Sequence, residues 1–219
     1  DNDAWRVGGE SVKTGFDAIN EEIARRLGVL FNAGEAAEEA VPESVVDASE
    51  VINTLAGGGV TTIGYASAAI DRRKKSFLSR KADEDVDPTA TVNRITTTVR
   101  RATLGRLTLP ANIRSTERAL VVVSGPPTYL SRRGIEDARK WVEEATGTME
   151  VRGGDYPVPD SNYVSALVVL AGITDVPRIR ELQQVAIETQ QNIAEIGERS
   201  EGALEDLVWG GGDDLEPLF

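Results

Sequence analysis

Hydrophobic side chains recur along residues 11–33 at intervals of three and four positions. The repeat consists of Phe16, Ile19, Ile23, Leu27 and Leu30. Residues at this spacing share one face of a helix. Asn32-Ala33-Gly34 has the residue types that end helices. The pattern therefore predicts a helix of about 34 Å, at about 1.5 Å per residue, which is long enough to cross or link a whole domain.

Farther along, short apolar runs alternate with amphipathic segments. Strands are predicted near 60–66, 119–124, 149–152 and 163–171. Helices are predicted from Asp47, from Asp87-Pro88 to about Gly105, from Ser131 to Gly147, and over 177–199. The continuous apolar run at 120–123 is typical of a strand covered on both faces. This order predicts an α/β (α+β-like) fold, with a long central helix followed by a mixed β-sheet of about four strands and packed helices.

The predicted elements divide the chain into four parts. These are a central helix region at 1–34, a sheet domain at 35–176, a C-terminal helix at 177–208 and a flexible tail at 209–219. The tail is Gly-rich and acidic with interspersed apolar residues, so we expect it to be disordered alone. No signal peptide is visible, and the apolar runs are too short to span a bilayer. The first residue is Asp1 rather than Met, and we expect the N-terminus to be a cut.

The composition narrows the chemistry that this chain can perform. It contains no Cys and no His, which excludes disulfides, thiolate or imidazole catalysis, and most zinc sites. Catalysis would have to use carboxylates, hydroxyls, Lys or Arg, and no metal site is expected. A net charge of -12 disfavours nucleic-acid binding over the whole surface. The acidity, together with 19 Arg against 5 Lys, fits a salt-adapted source or an ordinary acidic cytosolic protein.

Two groups of polar and aromatic residues could carry function. Phe16 and Asn20 lie one helical turn apart, with Asn2 upstream, and could stack on a planar base and hydrogen-bond its edge. Phe16 also fits the apolar stripe, and Asn20 could simply be solvated. Asp47 and Glu50 could orient and polarise a water at a helix start. They could equally form a capping box, in which Asp47 caps the helix and Glu50 reaches back.

Two further segments are distinctive without fixing a function. Gly57-Gly58-Gly59 precedes a predicted strand and lacks the GxxxxGK[ST] pattern, so we interpret it as a turn rather than a phosphate loop. Residues 70–106 hold ten basic and five acidic residues, a local charge of +5 in an acidic chain. That segment is either a solvated surface or a contact with an acidic subunit or an anionic membrane.

Taken in order, these motifs resemble the tubulin and FtsZ superfamily over about residues 1–172. Asp1-Asn2-Asp3-Ala4 resembles the start of the central helix region, and Phe16-Asp17-Ala18-Ile19-Asn20 resembles its aromatic-to-Asn pattern. The segment from Val46 to Val51 resembles the synergy loop, which in this family inserts into the nucleotide site of the next subunit. FtsZ usually has Asn-x-Asp-Phe-x-Asp there, whereas this chain has Val45 and Ala48 at the Asn and Phe positions. Its Asp-x-x-Glu spacing is closer to α-tubulin, and the mixture resembles the archaeal CetZ branch.

The resemblance implies the C-terminal half of a filament-forming cytoskeletal GTPase with a role in cell shape or division. Phe16 would stack on guanine, Asn20 and Asn2 would contact the nucleotide, and Asp47 and Glu50 would be catalytic in the neighbouring subunit's site. GTP or GDP and Mg²⁺ would be held mostly by the N-terminal half, whose glycine-rich phosphate loop is not in this sequence.

The implied partners are copies of the same protein in protofilaments and a tail-binding protein or membrane adaptor, in the cytoplasm. No nucleic acid is expected as a partner. Two alternatives remain open at this point. One is a non-catalytic tubulin-family assembly or regulatory protein, and the other is an unrelated small-molecule enzyme on a similar domain.

Overall fold

The structure is a computed structural model that describes residues 12–33, 46–70 and 87–209. Its helices are α1 (Val12–Asn32), α2 (Ala48–Leu55), α3 (Pro88–Leu104), α4 (Arg132–Thr146) and α5 (Pro177–Trp209). Its strands are β1 (Val60–Ala69), β2 (Arg118–Gly125), β3 (Glu150–Pro157) and β4 (Tyr163–Ile173). The chain divides into two compact units, Asp1–Val176 and Pro177–Phe219, which are described separately.

The four strands of the first unit form one mixed sheet in the order β1-β4-β2-β3. β4 pairs antiparallel with both β1 and β2, whereas β2 and β3 are parallel and are joined through α4. The parallel pair needs such a crossover because a tight turn can join only antiparallel neighbours. This architecture confirms the predicted α/β class with its mixed four-stranded sheet.

The helices begin and end where local chemistry allows. Asp87 accepts a hydrogen bond from the Thr89 N–H at 2.9 Å, and Pro88 occupies the first helical position of α3. Ser131 caps α4 by accepting from the Gly134 N–H at 3.3 Å. α4 ends at Gly147, whose φ of 82° is left-handed and therefore suits glycine.

One face of the sheet is covered by α3 and α4. α3 contacts β1, β4 and α4, and α4 contacts β3. Ile95 and Val99 of α3 and Ile135 and Val142 of α4 are essentially inaccessible to solvent. A Cβ on Gly134 would lie 2.9 Å from the Ile95 Cδ1 atom, so glycine is what lets α4 approach α3 this closely. Each such buried aliphatic side chain contributes about 1.5–3 kcal/mol to folding.

The opposite face of the sheet packs against α1 and the start of α2. Strand register places side chains in rows across this face: Ile63 pairs with Val169, which pairs with Leu120. These residues form a cluster with the C-terminal end of α1 and with Val46 before α2. Leu30 belongs to this cluster, and Val51 of α2 packs against it.

The predicted apolar stripe of α1 is only partly buried. Ile19 and Leu30 are buried, whereas Phe16, Ile23 and Leu27 remain exposed. Arg26 is buried in their place and donates from Nη2 to the Arg106 carbonyl oxygen at 2.9 Å. Burial lowers the pKa of Arg26, with an opposing contribution from Glu22.

The second unit contributes α5, a helix of 33 residues. It ends one residue beyond the C-terminal helix predicted at 177–208, and ten residues beyond the stretch at 177–199 that the hydrophobic spacing marks. Its apolar side chains, including Leu182, Ile193 and Ile196, are exposed. None of the described helices combines the length and the hydropathy that a membrane span requires. The 210–219 tail and the basic stretch at 71–86 lie outside the described residues.

Candidate functional site

Asp47 stands at the N-terminus of α2 in an extended conformation, with φ -97° and ψ 168°. Its Oδ1 atom accepts the Glu50 N–H at 2.8 Å and the Ser49 hydroxyl at 2.5 Å. The carboxylate thus satisfies one of the amide groups that a helix leaves unpaired in its first turn. Asp47 is therefore the N-cap of α2, as one of the two sequence interpretations predicts.

Glu50 lies one turn farther along and is half-buried. Its Oε2 atom is inaccessible to solvent and has no hydrogen-bond partner. Among the hydrogen bonds of the described residues, none is donated by the Asp47 N–H to the Glu50 carboxylate. Only the Asp47 half of the capping box is therefore formed, and the box does not account for the position of Glu50.

The pKa values of the two carboxyl groups are shifted in opposite directions. Burial raises the pKa of Glu50, and the negative charge of Asp47 raises it further, against the opposing charges of Arg152 and Arg139. The Ser49 hydroxyl and then the Glu50 N–H lower the pKa of Asp47, which is fully exposed. Neighbouring carboxyls with divergent pKa values are a common arrangement where one group must hold a charge and the other must move a proton.

The two arginines that face Glu50 were not identified from the sequence. Arg152 stands on β3 opposite Leu120, in the row that faces α1 and α2. Arg139 of α4 donates to the Val151 carbonyl oxygen, at 2.6 Å from Nη2 and 3.2 Å from Nε. The register of β3 against β2 places Arg152, and the packing of α4 on β3 places Arg139. No local motif could have indicated either position.

Exposed apolar side chains lie on α2 and near it, at the end of the sheet where Asp47 and Glu50 stand. Ile52 is 64% exposed, and Met149, just before β3, is 93% exposed. Arg118 at the start of β2 pairs with Glu150 at the start of β3 at 3.0 Å, and its guanidinium lies beside Gly57 after α2. This end of the sheet therefore presents large apolar side chains beside the candidate carboxylates.

The glycine triplet after α2 is a turn, as its sequence predicts. Gly58 and Gly59 have φ values of 71° and 76°, which only glycine adopts without strain. A Cβ on Gly59 would lie 3.2 Å from the Gly172 Cα atom. The triplet thus connects α2 to β1. A phosphate loop instead leads into the first turn of a helix, and this triplet does not.

The candidate base-contacting residues lie toward the other end of α1. Phe16 is 42% exposed and Asn20 is exposed, one turn apart, which leaves both side chains accessible for stacking and hydrogen bonding. Asn2 lies outside the described residues. Leu30 shares a cluster with Val46, so α1 separates Asn20 from the carboxylate end by roughly 15 Å. The structure therefore places the two candidate sites apart.

Within the described ranges, no group of three or more acidic side chains is arranged to hold a metal ion. Asp47 and Glu50 provide two carboxylates at this site, and Arg152 and Arg139 are the basic groups that act on Glu50.

The sequence and the fold of this chain match known proteins. A family model described as "Tubulin-like CetZ, C-terminal domain" matches residues 9–188. Tubulin-like protein CetZ3 of Haloferax volcanii is 60% identical over 224 residues, covering 100% of this chain and 57% of the relative.

Two solved structures are similar to this chain. The GDP-bound monomer of CetZ1 from Haloferax volcanii superposes with a TM-score of 0.70 at 55% identity, covering 87% of this chain and 49% of that one. The GTPγS-bound protofilament of CetZ2 from the same organism also gives 0.70, at 41% identity, with 89% and 51% covered.

The family match and the fold define a C-terminal domain of the tubulin and FtsZ type, which confirms the resemblance of the chain to this superfamily. More narrowly, the chain belongs to the tubulin-like CetZ family. It spans about half the length of the relatives that it matches, 57% in the case of CetZ3.

Proposed function

We propose that this chain is the C-terminal half of a filament-forming GTPase, and that its Asp47 and Glu50 act on GTP held by the neighbouring copy. One observation carries the proposal: two carboxyls with divergent pKa values stand at the start of α2, roughly 15 Å along α1 from Asn20. A head-to-tail filament brings opposite ends of successive copies together. Support also comes from a family relative whose structure is a GTPγS-bound protofilament.

In this proposal Glu50 is the general base. Its pKa is raised toward neutral pH. A carboxylate with a higher pKa is a stronger base and takes a proton from an attacking water more readily. Asp47 stays ionised, holds the first turn of α2 and adds negative charge beside Glu50. Mg²⁺, when bound with the nucleotide, supplies charge neutralisation on the phosphate oxygens.

Phe16 and Asn20 contact the guanine in the same copy that holds the nucleotide. The ring offers a stacking face, and the amide offers both a donor and an acceptor for the edge of the base. Asn2 would add a contact from outside the described residues. A GDP-bound CetZ1 structure in the family supports a guanine nucleotide as the ligand.

The apolar surface around α2 is where the next copy would pack. Ile52, Leu55 and Met149 are exposed large apolar side chains at the carboxylate end. Such a patch marks an interaction surface more often than an accident of the fold. We further propose a cytoplasmic filament with a role in cell shape or division, and a tail-binding protein or membrane adaptor as a partner of 209–219.

A second candidate function is a filament protein of the same family that assembles or regulates without hydrolysis. The buried, unpartnered Oε2 atom of Glu50 favours it, because a carboxylate that faces the protein has only one oxygen left for water. Val45 and Ala48 at the FtsZ Asn and Phe positions also favour it.

Glu50→Ala in the full-length protein tests the proposal against this alternative. Melting temperature, GTP affinity and turnover per pelleted filament are measured together, with Glu144→Ala on the exposed surface of α4 as the matched control. We expect turnover to fall by about 10²-fold or more, with GTP affinity nearly unchanged. Normal turnover in pelleted Glu50→Ala filaments would contradict the catalytic role and leave assembly alone as the function.

A further inference from the structure

β1 stands at one end of the sheet order, so no described strand pairs with its outer edge. The Ile63 backbone points to that side: its N–H donates to the Thr108 hydroxyl and its carbonyl accepts the Thr108 N–H, each at 2.9 Å. Backbone direction repeats every two residues in a strand. The N–H and C=O groups of Ser67 and Ala69 therefore point outward as well.

Contacts close the two ends of this edge. At the beginning, Gly64 forms a β-bridge with Leu107. At the far end, the Arg94 guanidinium lies 3.4 Å from the Ala69 carbonyl oxygen. In the described part of the chain neither contact reaches Ser67. Unpaired strand edges of this kind are templates for another extended chain.

A groove of about 580 Å³ runs beside this part of the edge, between α1 and the last turns of α3. Tyr65 and Ser67 of β1 line it, and Leu104 provides an exposed apolar wall. The anchored Arg26 joins α1 to the segment after α3 through the Arg106 carbonyl oxygen. The two walls are therefore tied together, and the groove is formed before any partner binds.

The groove is basic in an otherwise acidic chain. Among the described residues that line it, Arg25, Arg100 and Arg101 are basic and Glu22 is acidic, whereas the whole chain carries a net charge of -12. Arg25 is already paired with Glu21 at 2.5 Å, which leaves Arg100 and Arg101 as the cations offered to a partner. The Arg100 guanidinium lies 5.2 Å from the centre of the Trp141 ring, which limits its motion. Such a local reversal of charge selects for an anionic partner.

We propose that this groove is a docking site for an acidic segment of a partner protein, which lies extended along β1 as an added strand and places carboxylates on Arg100 and Arg101. Outward backbone groups beside a basic groove fit a peptide, because strand addition gives affinity through the main chain and specificity through side-chain pockets. A small phosphate-bearing ligand would use the arginines but not the strand edge.

The test uses the full-length protein with GDP, at a concentration where light scattering shows no filaments. The probe is a fluorescein-labelled peptide of about ten residues with alternating Glu and Val, which matches a long strand. Fluorescence anisotropy measures its affinity for the native protein and for Arg100→Glu/Arg101→Glu. The matched control is Arg132→Glu/Arg133→Glu, an equal charge change on the exposed start of α4.

We expect the groove variant to bind at least about tenfold more weakly and the control variant to change by less than about twofold. Binding should weaken as salt rises, because exposed charges are screened within about 3 Å at 1 M. Circular dichroism checks that each variant is folded. If the double reversal unfolds the protein, Arg101→Gln replaces it, with an expected loss of about threefold.

Two further probes distinguish strand addition from simple charge attraction. The same acidic peptide with an N-methyl group on every residue has no N–H donors on either side for the ladder, and we expect it to bind far more weakly. Equal binding of the methylated peptide, or equal weakening by both double variants, would overturn the proposal. Complete displacement of the peptide by millimolar pyrophosphate, with no dependence on N-methylation, would assign the groove to a small anion instead.

Discussion

The helices on the two faces of the sheet differ in how completely their apolar side chains are buried. On the face under α3 and α4, large aliphatic side chains such as Ile95 are fully buried. On the face under α1 and α2, Phe31 is 68% exposed and Ile52 is 64% exposed. All the candidate nucleotide and catalytic residues that the structure describes belong to α1 and to α2 with its N-cap. The layer of α3 and α4 is thus closed by its own packing, and the more open side of α1 and α2 is where we propose that other protein surfaces and ligands bind.

The largest expected effect tests this contrast through stability. Ile95→Ala should lower the free energy of unfolding by about 2–5 kcal/mol, because it removes a fully buried side chain from a packed layer. Ile52→Ala, the same substitution on the open side, should change it by less than about 0.5 kcal/mol but weaken filament assembly. Urea unfolding and pelleting measure the two quantities. Equal losses of stability in Ile95→Ala and Ile52→Ala would contradict the difference between the two sides.

The next effect concerns the nucleotide end of the open side. Asn20→Ala in the full-length protein should weaken GTP binding by about 1–3 kcal/mol, because the guanine edge loses its hydrogen-bond partner. Preference for GTP over ATP should fall with it. Calorimetric titration of both nucleotides gives the numbers, and Asn192→Ala on exposed α5 is the matched control. An unchanged GTP-to-ATP ratio would remove Asn20 from the site.

A smaller effect separates the cap from the charge at Asp47. Asp47→Ala should cost about 1 kcal/mol of stability, because the Glu50 N–H loses its acceptor. Asp47→Asn keeps an acceptor at the cap and should leave stability nearly unchanged while turnover falls. Thermal melts and GTPase assays of the two variants distinguish the roles. Normal turnover in Asp47→Asn would make Asp47 a cap alone.

The smallest effect is a shift in pH dependence. A general base works when ionised, so turnover should fall as pH drops through the pKa of Glu50. Burial and Asp47 raise that pKa, while Arg152 and Arg139 oppose the rise. Arg152→Gln should therefore raise it further and move the acid limb of the profile to higher pH. Arg152→Lys keeps the charge and should leave the limb in place, and an unmoved limb in Arg152→Gln would show that Arg152 does not act on Glu50.

The raised pKa of Glu50 also predicts how the stability of the fold depends on pH. A carboxyl whose folded pKa is raised favours folding most when protonated, and that contribution is lost as pH rises through the folded value. Glu50→Gln should therefore melt no lower than the native protein at neutral pH. The difference should vanish in acid, where both side chains are neutral.

Local sequence signals predicted most of the fold because they coincide with packing. The run at 120–123 became the core of β2, and Asp87-Pro88 and Gly147 mark the helix ends where the structure has them. β3 was predicted too short, because Gly153 and Gly154 have low strand propensity. Pairing with β2 overrides that preference and extends β3 to Pro157.

Local motifs single out the candidate residues, whose roles stay predictions, but they do not reveal the surroundings of those residues. Asp47 and Phe16 stand in recognisable local motifs. The arginine environment of Glu50 depends on how β3 registers against β2, and the burial of Arg26 depends on a contact with Arg106, 80 positions away. Sequence spacing carries no information on either, because both arise from tertiary packing.

Catalysis across the boundary between copies is tested most directly by mixing two inactive variants. In the proposed mechanism Glu50→Gln should bind GTP but lack the base, whereas Phe16→Ala/Asn20→Ala should keep the base but bind guanine poorly. When the two full-length variants co-assemble, Glu50 of the second faces GTP held by the first, and GTPase activity should return in part. Co-pelleting of differently labelled variants confirms mixed filaments. Mixed filaments with no more activity than the sum of the separate variants would contradict action on the neighbour's GTP.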